Sequence, residues 1–553
     1  MVTVGSSPGN GSCTFTTIQD ALDSSDPEIR ILNNQNFVTN LNIDHSVDIR
    51  GGFANCQDAT TGSSIGANTI VKGTNLVGAA VISINTSSEF EINLYNLTLQ
   101  DATDTIFITN GGHGINLLSS GGNLTLWNTI IKNNTSEKGG GVFMGEVSGE
   151  VVLTLRDSEI SGNTASDLGG GVYCEGNGSN IRMFGDSVIS GNTAANGGGL
   201  AIENGCTANL YSGLDAFDSI ELKGIMENHA SQNGGGLYLN NASNIQFGLL
   251  APVAEYIELS TVSGNTADVD GAGIYAINGT GLLINDAFLN NNVAGRNGGG
   301  IYLGLSSFMV MRTIQEQCRQ AGKCSVLSNN KSGITGLGGG FYMNGNANAT
   351  IWNTFIYGNR ADFGTAIYVS GSNEVGASLQ MDGNYLYNNG DNGSGNYQDS
   401  YVIRGNGDVE INILHNTITD NNVNDTRAII GVANGVTMSL KNSIIHNINE
   451  TVLDDVSSNI LDNRCLLVNE DTSISGPIVL ALTSPDFVNA NARDYHLTST
   501  GIDWCNPHGG FVKDTDNELR GWDDPTDNGI LAFYDVGADE SYNGDIVFTN
   551  GFE

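Results

Sequence analysis

The sequence predicts an all-β chain wound into a parallel β-helix, a solenoid of three sheets, and three observations carry that prediction. One phrase, polar at its front, glycine in its middle and alternately apolar at its end, recurs along the chain, as in SGNTASDLGGGVYCEG at residues 161–176. Its spacing varies, which suits stacked coils whose turns accept insertions better than a repeat of fixed length. At 553 residues the chain is too long for one ordinary compact core, and 75 glycines against 39% hydrophobic residues suit neither a helical bundle nor a disordered linker.

Measured at its first glycine, the phrase falls at Gly139, Gly169, Gly197, Gly234, Gly271, Gly298, Gly338 and, more weakly, Gly364, in steps of 30, 28, 37, 37, 27, 40 and 26 residues. Its fourth and sixth letters are apolar throughout, as in Val172 and Cys174 or Ile301 and Leu303, and its seventh is mostly polar or small. That period of two marks a strand with one face buried. Two shorter runs between phrases, Val152–Leu155 and Ser158–Ser161 in one coil, add two strands and give three per coil. Stacked coils then bury their inward letters in parallel sheets.

The polar front aligns Asn134, Asn163, Asn192, Asn228, Asn265, Asn292, Asn330 and Asn359, each five to eight residues before its glycine. An amide carries donors and an acceptor, so a column of them at strand spacing is expected to form a hydrogen-bonded ladder from coil to coil. The glycines that follow supply positive φ and close approach at the corner.

SGNTA followed by GGGVY or GGGIY resembles the right-handed parallel β-helix repeats of the pectin-lyase-like superfamily, especially those of chlamydial polymorphic outer-membrane proteins. Cys13 to Leu22 followed by Val47 to Phe53 is similar to the capping helix and first coils of such proteins. Toward the other end, Ser484-Pro485-Asp486-Phe487, Asp494-Tyr495-His496-Leu497 and Asp535 to Glu540 resemble a choice-of-anchor Q region, which follows a β-helix. The resemblances imply an exported or surface protein of bacteria. They divide the chain into a cap with first coils (1–75), a β-helix body (76–480) and a loop-rich C-terminal region (481–553). About 15 coils at roughly 4.8 Å each would make a rod on the order of 70 Å long.

Charge limits the partners. With 59 acidic against 21 basic side chains, a formal net charge of −38, the chain suits neither nucleic acid nor anionic lipid. No apolar run reaches the roughly 18–20 residues of a transmembrane helix. Met1-Val2-Thr3 does not open a basic-then-apolar signal, so export implies a trimmed leader or another route. The cysteines fit an oxidising exterior: Cys13 with Cys56, Cys318 with Cys324, and Cys465 with Cys505 are candidate disulfides. Cys174, in the inward column, reads as a buried small hydrophobe.

Seven scattered histidines sit in no recognisable nucleophile motif, and no basic residue recurs in the repeat to complete the calcium and base arrangement that pectate lyases resemble one another in. No cofactor is required by these motifs. Calcium is the cation that two acidic turns would suit, at Asp268 with Asp270 and at Asp514 with Asp516.

The fifth letter of the phrase is Phe143, Tyr173, Ala201, Tyr238, Tyr275, Tyr302, Tyr342 or Tyr368. Alternation points it outward. One reading is an aromatic ladder that stabilises neighbouring coils; the other is a binding strip for sugar rings or a protein surface. The function expected is a secreted or surface-exposed non-enzymatic protein, an adhesin or a structural subunit of an extracellular layer or fibre, with self-assembly among its contacts. The alternative is a polysaccharide lyase or glycoside hydrolase using a groove walled by insertions at 208–222, 246–258 and 309–327.

Overall fold

The computed structural model describes residues 1–553 except 7–11, 65, 75–78, 104–113, 146–148, 211–223, 249–259, 315–323, 373–375, 425–426, 434, 448–449, 456–459, 470–473, 475–477, 503, 506–512, 515–533 and 539–553. The fold is a right-handed parallel β-helix. The chain forms two compact units, Met1–Gly248 with Glu255–Asp268, and Leu249–Ala254 with Val269–Glu553.

In the first unit the GGG-phrase strands stack in register. Val142–Met144 pairs with Val172–Glu175, which pairs with Leu200–Glu203 and then Leu237–Leu239, all parallel. The inward letters Val142, Met144, Val172, Cys174, Leu200 and Ile202 are buried, as alternation requires. A second, bent sheet holds the two other runs of each coil. Gly122–Trp127, Val151–Arg156, Asn180–Phe184 and Thr207–Leu210 form one arm. Ile130–Lys132, Glu159–Ser161 and Val188–Ser190 form the other. The polar front is not only a turn. Its Thr-Ala letters add a short strand in some coils, as Thr164–Leu168 pairs with Thr135–Lys138, so the coils from Thr135 to Ala267 carry a fourth strand beside the three expected from the sequence.

The asparagines form a ladder. Asn163 Oδ1 accepts from both the backbone N–H and the Nδ2 of Asn134 at 3.0 Å, and its own Nδ2 donates to the carbonyl of Ile131 at 2.9 Å. The arrangement repeats at Asn192 and Asn228, and Asn265 receives Asn228 in the same way. In the second unit Asn292, Asn330 and Asn359 continue the pattern into Asn389, Asn421, Asn447 and Asn469, which lie beyond the regular repeat. Every acceptor faces a donor inside a dry corner, so the backbone that the bend leaves unpaired is satisfied.

The bend itself is made one residue earlier. Gly162, Gly191 and Gly264 have φ of 62°, 62° and 65°, and Asn291, Asn329 and Asn388 have φ of 56°, 53° and 52°. Glycine and asparagine tolerate this left-handed conformation best, which explains the recurring Gly-Asn and Asn-Asn pairs. A smaller ladder of hydroxyls holds the other corner: Ser158 Oγ accepts from the N–H of Thr129, and Ser187 Oγ from that of Ser158.

The glycine triplet answers two different demands. Gly169 has φ of +65°, and Gly170 lies so close to the next coil that an added Cβ would sit 2.5 Å from the carbonyl oxygens of both Gly198 and Thr193. Backbone meets backbone here, and no side chain fits between.

The first unit begins with strand Val2–Val4 beside Glu28–Leu32 and a helix, Ile18–Asp23, whose Ile18, Ala21 and Leu22 are buried. Thr17 caps it by accepting the N–H of Asp20 at 3.1 Å. The Cys13–Cys56 disulfide joins the residues before this helix to a second one, Cys56–Thr61.

Cys174 corrects the sequence reading. It is buried, but it forms a disulfide with Cys206, Cα to Cα 6.1 Å. Cys174 pairs in register with Ile202, and the left-handed turn at Asn204 and Gly205 returns the chain inward to place Cys206 beside it. The bond staples one coil to the next.

In the second unit the phrase strands Ile274–Ala276, Ile301–Leu303, Phe341–Gly345 and Ile367–Gly371 stack in the same way, and Ile403–Asn406 and Ala428–Val432 extend the sheet past the last clear phrase. Its C-terminal part folds back over the flank of the coils. Tyr495, on the antiparallel pair Phe487–Asn489 and Asp494–Leu497, stacks on Tyr385 at 6.0 Å, packs at a tilt against Tyr387 at 5.9 Å and donates its hydroxyl to Asp420 at 3.0 Å. Ala538 N–H donates to Thr417 Oγ1 at 3.0 Å, and Cys465–Cys505 forms a disulfide. Cys324 is buried, and Cys318 lies outside the described residues. No helix among the described residues is long and apolar enough to cross a membrane.

Candidate functional site

The aromatic column leaves the core as its alternation predicts, but its rings do not form an open track. In the first unit Phe143 and Tyr173 stack at 5.5 Å and are 3% and 0% exposed, enclosed with Leu168, Ala201 and Tyr238. In the second unit Tyr275, Tyr302, Tyr342 and Tyr368 pack ring against ring at 4.6, 5.0 and 5.8 Å, the middle pair tilted, with Tyr342 buried. Each ring spends its faces on its neighbours, and the corner beside Leu168 closes over the first unit's pair. Phe143, Tyr173 and Tyr342 are therefore packed where the strip reading needs them exposed. Tyr238, Tyr275, Tyr302 and Tyr368 are half-buried and keep edges at the surface.

Burial shapes their chemistry. The Tyr173 hydroxyl sits within hydrogen-bonding distance of Glu175 and Glu203, and desolvation followed by those carboxylates drives its pKa far above the ordinary phenol value. Tyr238, Tyr302 and Tyr342 are each pushed up to about 12, chiefly by desolvation. An unfolded chain loses these protons near pH 10. The folded state thus holds more protons between about pH 10 and 12, so stability is full below pH 10 and falls as pH climbs through the raised values. An ultraviolet titration is expected to show these phenols ionising only above the ordinary range, together with or after unfolding. Ionisation at the ordinary value in the folded chain contradicts the packed column.

The acidic turns are engaged otherwise. Asp270, 2% exposed at its side chain, binds the Arg296 guanidinium through both oxygens and also accepts the N–H of Asn297 at 3.0 Å. A cation here would have to displace the arginine. Asp268 is 63% exposed, with His229 Nε2 at 3.9 Å. Asp514 is buried, its backbone carbonyl accepting from Asn353 Nδ2 at 3.0 Å, and Asp516 lies outside the described residues. Among the described residues no cluster of three His, Cys, Asp or Glu side chains is arranged to hold a metal.

One feature escapes the repeat. On the bent sheet of the first unit, the last outward letters of successive strands align as Arg50, Tyr95, Trp127, Arg156 and Phe184. Arg50 lies 3.9 Å above the Tyr95 ring, Tyr95 and Trp127 stack at 5.9 Å, and Arg156 sits 4.9 Å from Trp127 and 4.7 Å from Phe184. The sequence signal was the outward letter before each corner, which varies in type and so does not show as a repeat. The Arg50 end of the column is neutralised by Asp48 at 2.7 Å and Glu28 at 3.2 Å. Arg156 touches only rings among its described partners, and Arg182 in the next row donates to the Asn180 amide at 2.9 Å.

Residues 157–175, one corner, ladder asparagine and glycine triplet of this stack, match the family model of the Chlamydia polymorphic membrane protein repeat. No curated protein and no solved structure matches the chain.

Proposed function

We propose that the chain is a secreted or surface-exposed, non-enzymatic β-helical protein, an adhesin or structural subunit of an extracellular layer or fibre, that contacts glycan or protein surfaces. The observation that carries this reading is the use made of the recurring polar letters. Each ladder asparagine spends its amide inside the stack, so what repeats is architecture rather than a reacting group. The likeness of residues 157–175 to a membrane-protein repeat, the disulfides and the resemblance of 481–553 to an anchor region support a place outside the cell.

A panel of extracellular polysaccharides incubated with the intact chain and calcium tests the reading. Chain length and reducing ends are expected to stay unchanged. New reducing ends, or an ultraviolet-absorbing unsaturated product, would replace it with the lyase or hydrolase alternative.

A further inference from the structure

We propose that the second unit closes through an oxidation-dependent strap. The Cys465–Cys505 disulfide locks residues Tyr534–Ala538 over one corner of the coils, and in the dithiol chain that segment leaves the corner. The proposal goes beyond the reading of the chain as a surface protein and rests on it only for when the bond forms.

The corner lies between paired runs such as Asn348–Trp352 and Thr354–Tyr357. In successive coils its left-handed residue is Asn353, Gly383, His415, Asn442 and Cys465, with φ of 45°, 68°, 51°, 46° and 56°. Asparagine and glycine suit that conformation, whereas cysteine gains nothing from it, so the bond rather than the turn sets residue 465. Four of the five positions meet the residues that follow the coils. Asn353 Nδ2 donates to the Asp514 carbonyl at 3.0 Å, and the Tyr534 ring stacks on His415 at 5.7 Å. The Gly537 N–H donates to the Asn442 carbonyl at 2.9 Å, and Cys465 bonds Cys505. The last of these ties is the covalent one.

Cys505 and Tyr534 exchange both backbone hydrogen bonds, at 2.9 and 3.2 Å, so the disulfide sits on the strand pair that carries Tyr534–Ala538. Beyond that pair the segment holds on through the Val536 N–H to the Gly501 carbonyl at 3.1 Å and the Ala538 N–H to Thr417 Oγ1 at 3.0 Å. Val536 and Ala538 are buried small side chains. Fixing the backbone of five residues costs about what these few bonds and contacts give back, so a cross-link that restricts the free chain decides which side wins. Closed, the segment seals an ionisable pair. His415 and Asp382 are fully buried, Nδ1 to Oδ1 3.0 Å, with the Tyr534 ring against His415. Locking removes two electrons and two protons from the Cys465 and Cys505 thiols and joins Sγ to Sγ; a disulfide oxidant accepts them and leaves as two thiols. A reducing interior keeps the pair open and an oxidising exterior closes it, so closure accompanies export.

Hydrogen exchange is compared between the oxidised full chain and its Cys505→Ser and Cys465→Ser variants, each of which leaves the Cys13–Cys56 and Cys174–Cys206 bonds in place. The Gly537 and Ala538 N–H groups report on the segment. The Asn359 N–H, bonded to Asn389 Oδ1 at 3.1 Å, is the control inside the same unit. Both variants are expected to exchange the reporters at least about tenfold faster with the control unchanged. Unchanged reporters in either variant overturn the lock, since packing then holds the segment alone. Loss of protection at Asn359 as well overturns the strap as a separate device, because the coils then open with it. A failed lock leaves the non-enzymatic reading standing, and cleavage in the polysaccharide panel would leave the lock standing.

Discussion

Asn228→Ala is expected to destabilise the first unit by about 3–5 kcal/mol, among the largest effects of any polar substitution in the chain. The Asn228 side chain accepts from the backbone N–H and the Nδ2 of Asn192 at 3.0 Å and donates to the Ile189 carbonyl at 3.0 Å and to Asn265 Oδ1 at 3.1 Å. Alanine removes all four bonds and strands their partners in a fully buried corner. Each orphaned group costs about 1–3 kcal/mol because water cannot reach it. In a stack whose coils touch only their neighbours, the damage is expected to centre on the coils of Asn192 and Asn265. A lowered denaturant midpoint in the first unit's transition checks it. An unchanged midpoint would mean that the column packs without being needed.

Gly170→Ala is the second. The added methyl would meet two backbone oxygens of the next coil at 2.5 Å, and neither can yield without separating the coils. A cost above about 3 kcal/mol is expected, seen as loss of soluble, cooperatively melting protein. Gly279→Ala in the second unit is the comparison, because nothing lies within 4 Å of its added Cβ. Its φ of +77° leaves only the left-handed strain, about 1 kcal/mol. If the two variants melt alike, close stacking is not what the triplet provides.

What was legible in the sequence is what repeats. Inward Val172 and Leu200, ladder Asn163 and Asn192, and the triplet at Gly169 occupy one column each, so periodicity places them without coordinates. The later rungs Asn389, Asn421, Asn447 and Asn469 were hidden because their coils lack the triplet that marked the register. The Cys174–Cys206 bond depends on an offset between columns, one coil and a turn, that no single column reveals. Burial of Phe143 and Tyr173 was missed for a related reason. Alternation gives the side of the sheet a ring leaves by, but not that Leu168 from the adjoining corner folds beside it.

The recurring polar letters are sealed inside the stack and bind it together. Hydrogen exchange at the backbone N–H groups of Asn134, Asn163 and Asn192 in the intact chain measures that directly, since each is bonded to the next asparagine at 2.9–3.0 Å and fully buried. The account predicts that these amides are among the slowest to exchange in the first unit. Exchange as fast as that of the exposed turn at Ser87 and Ser88 would contradict it.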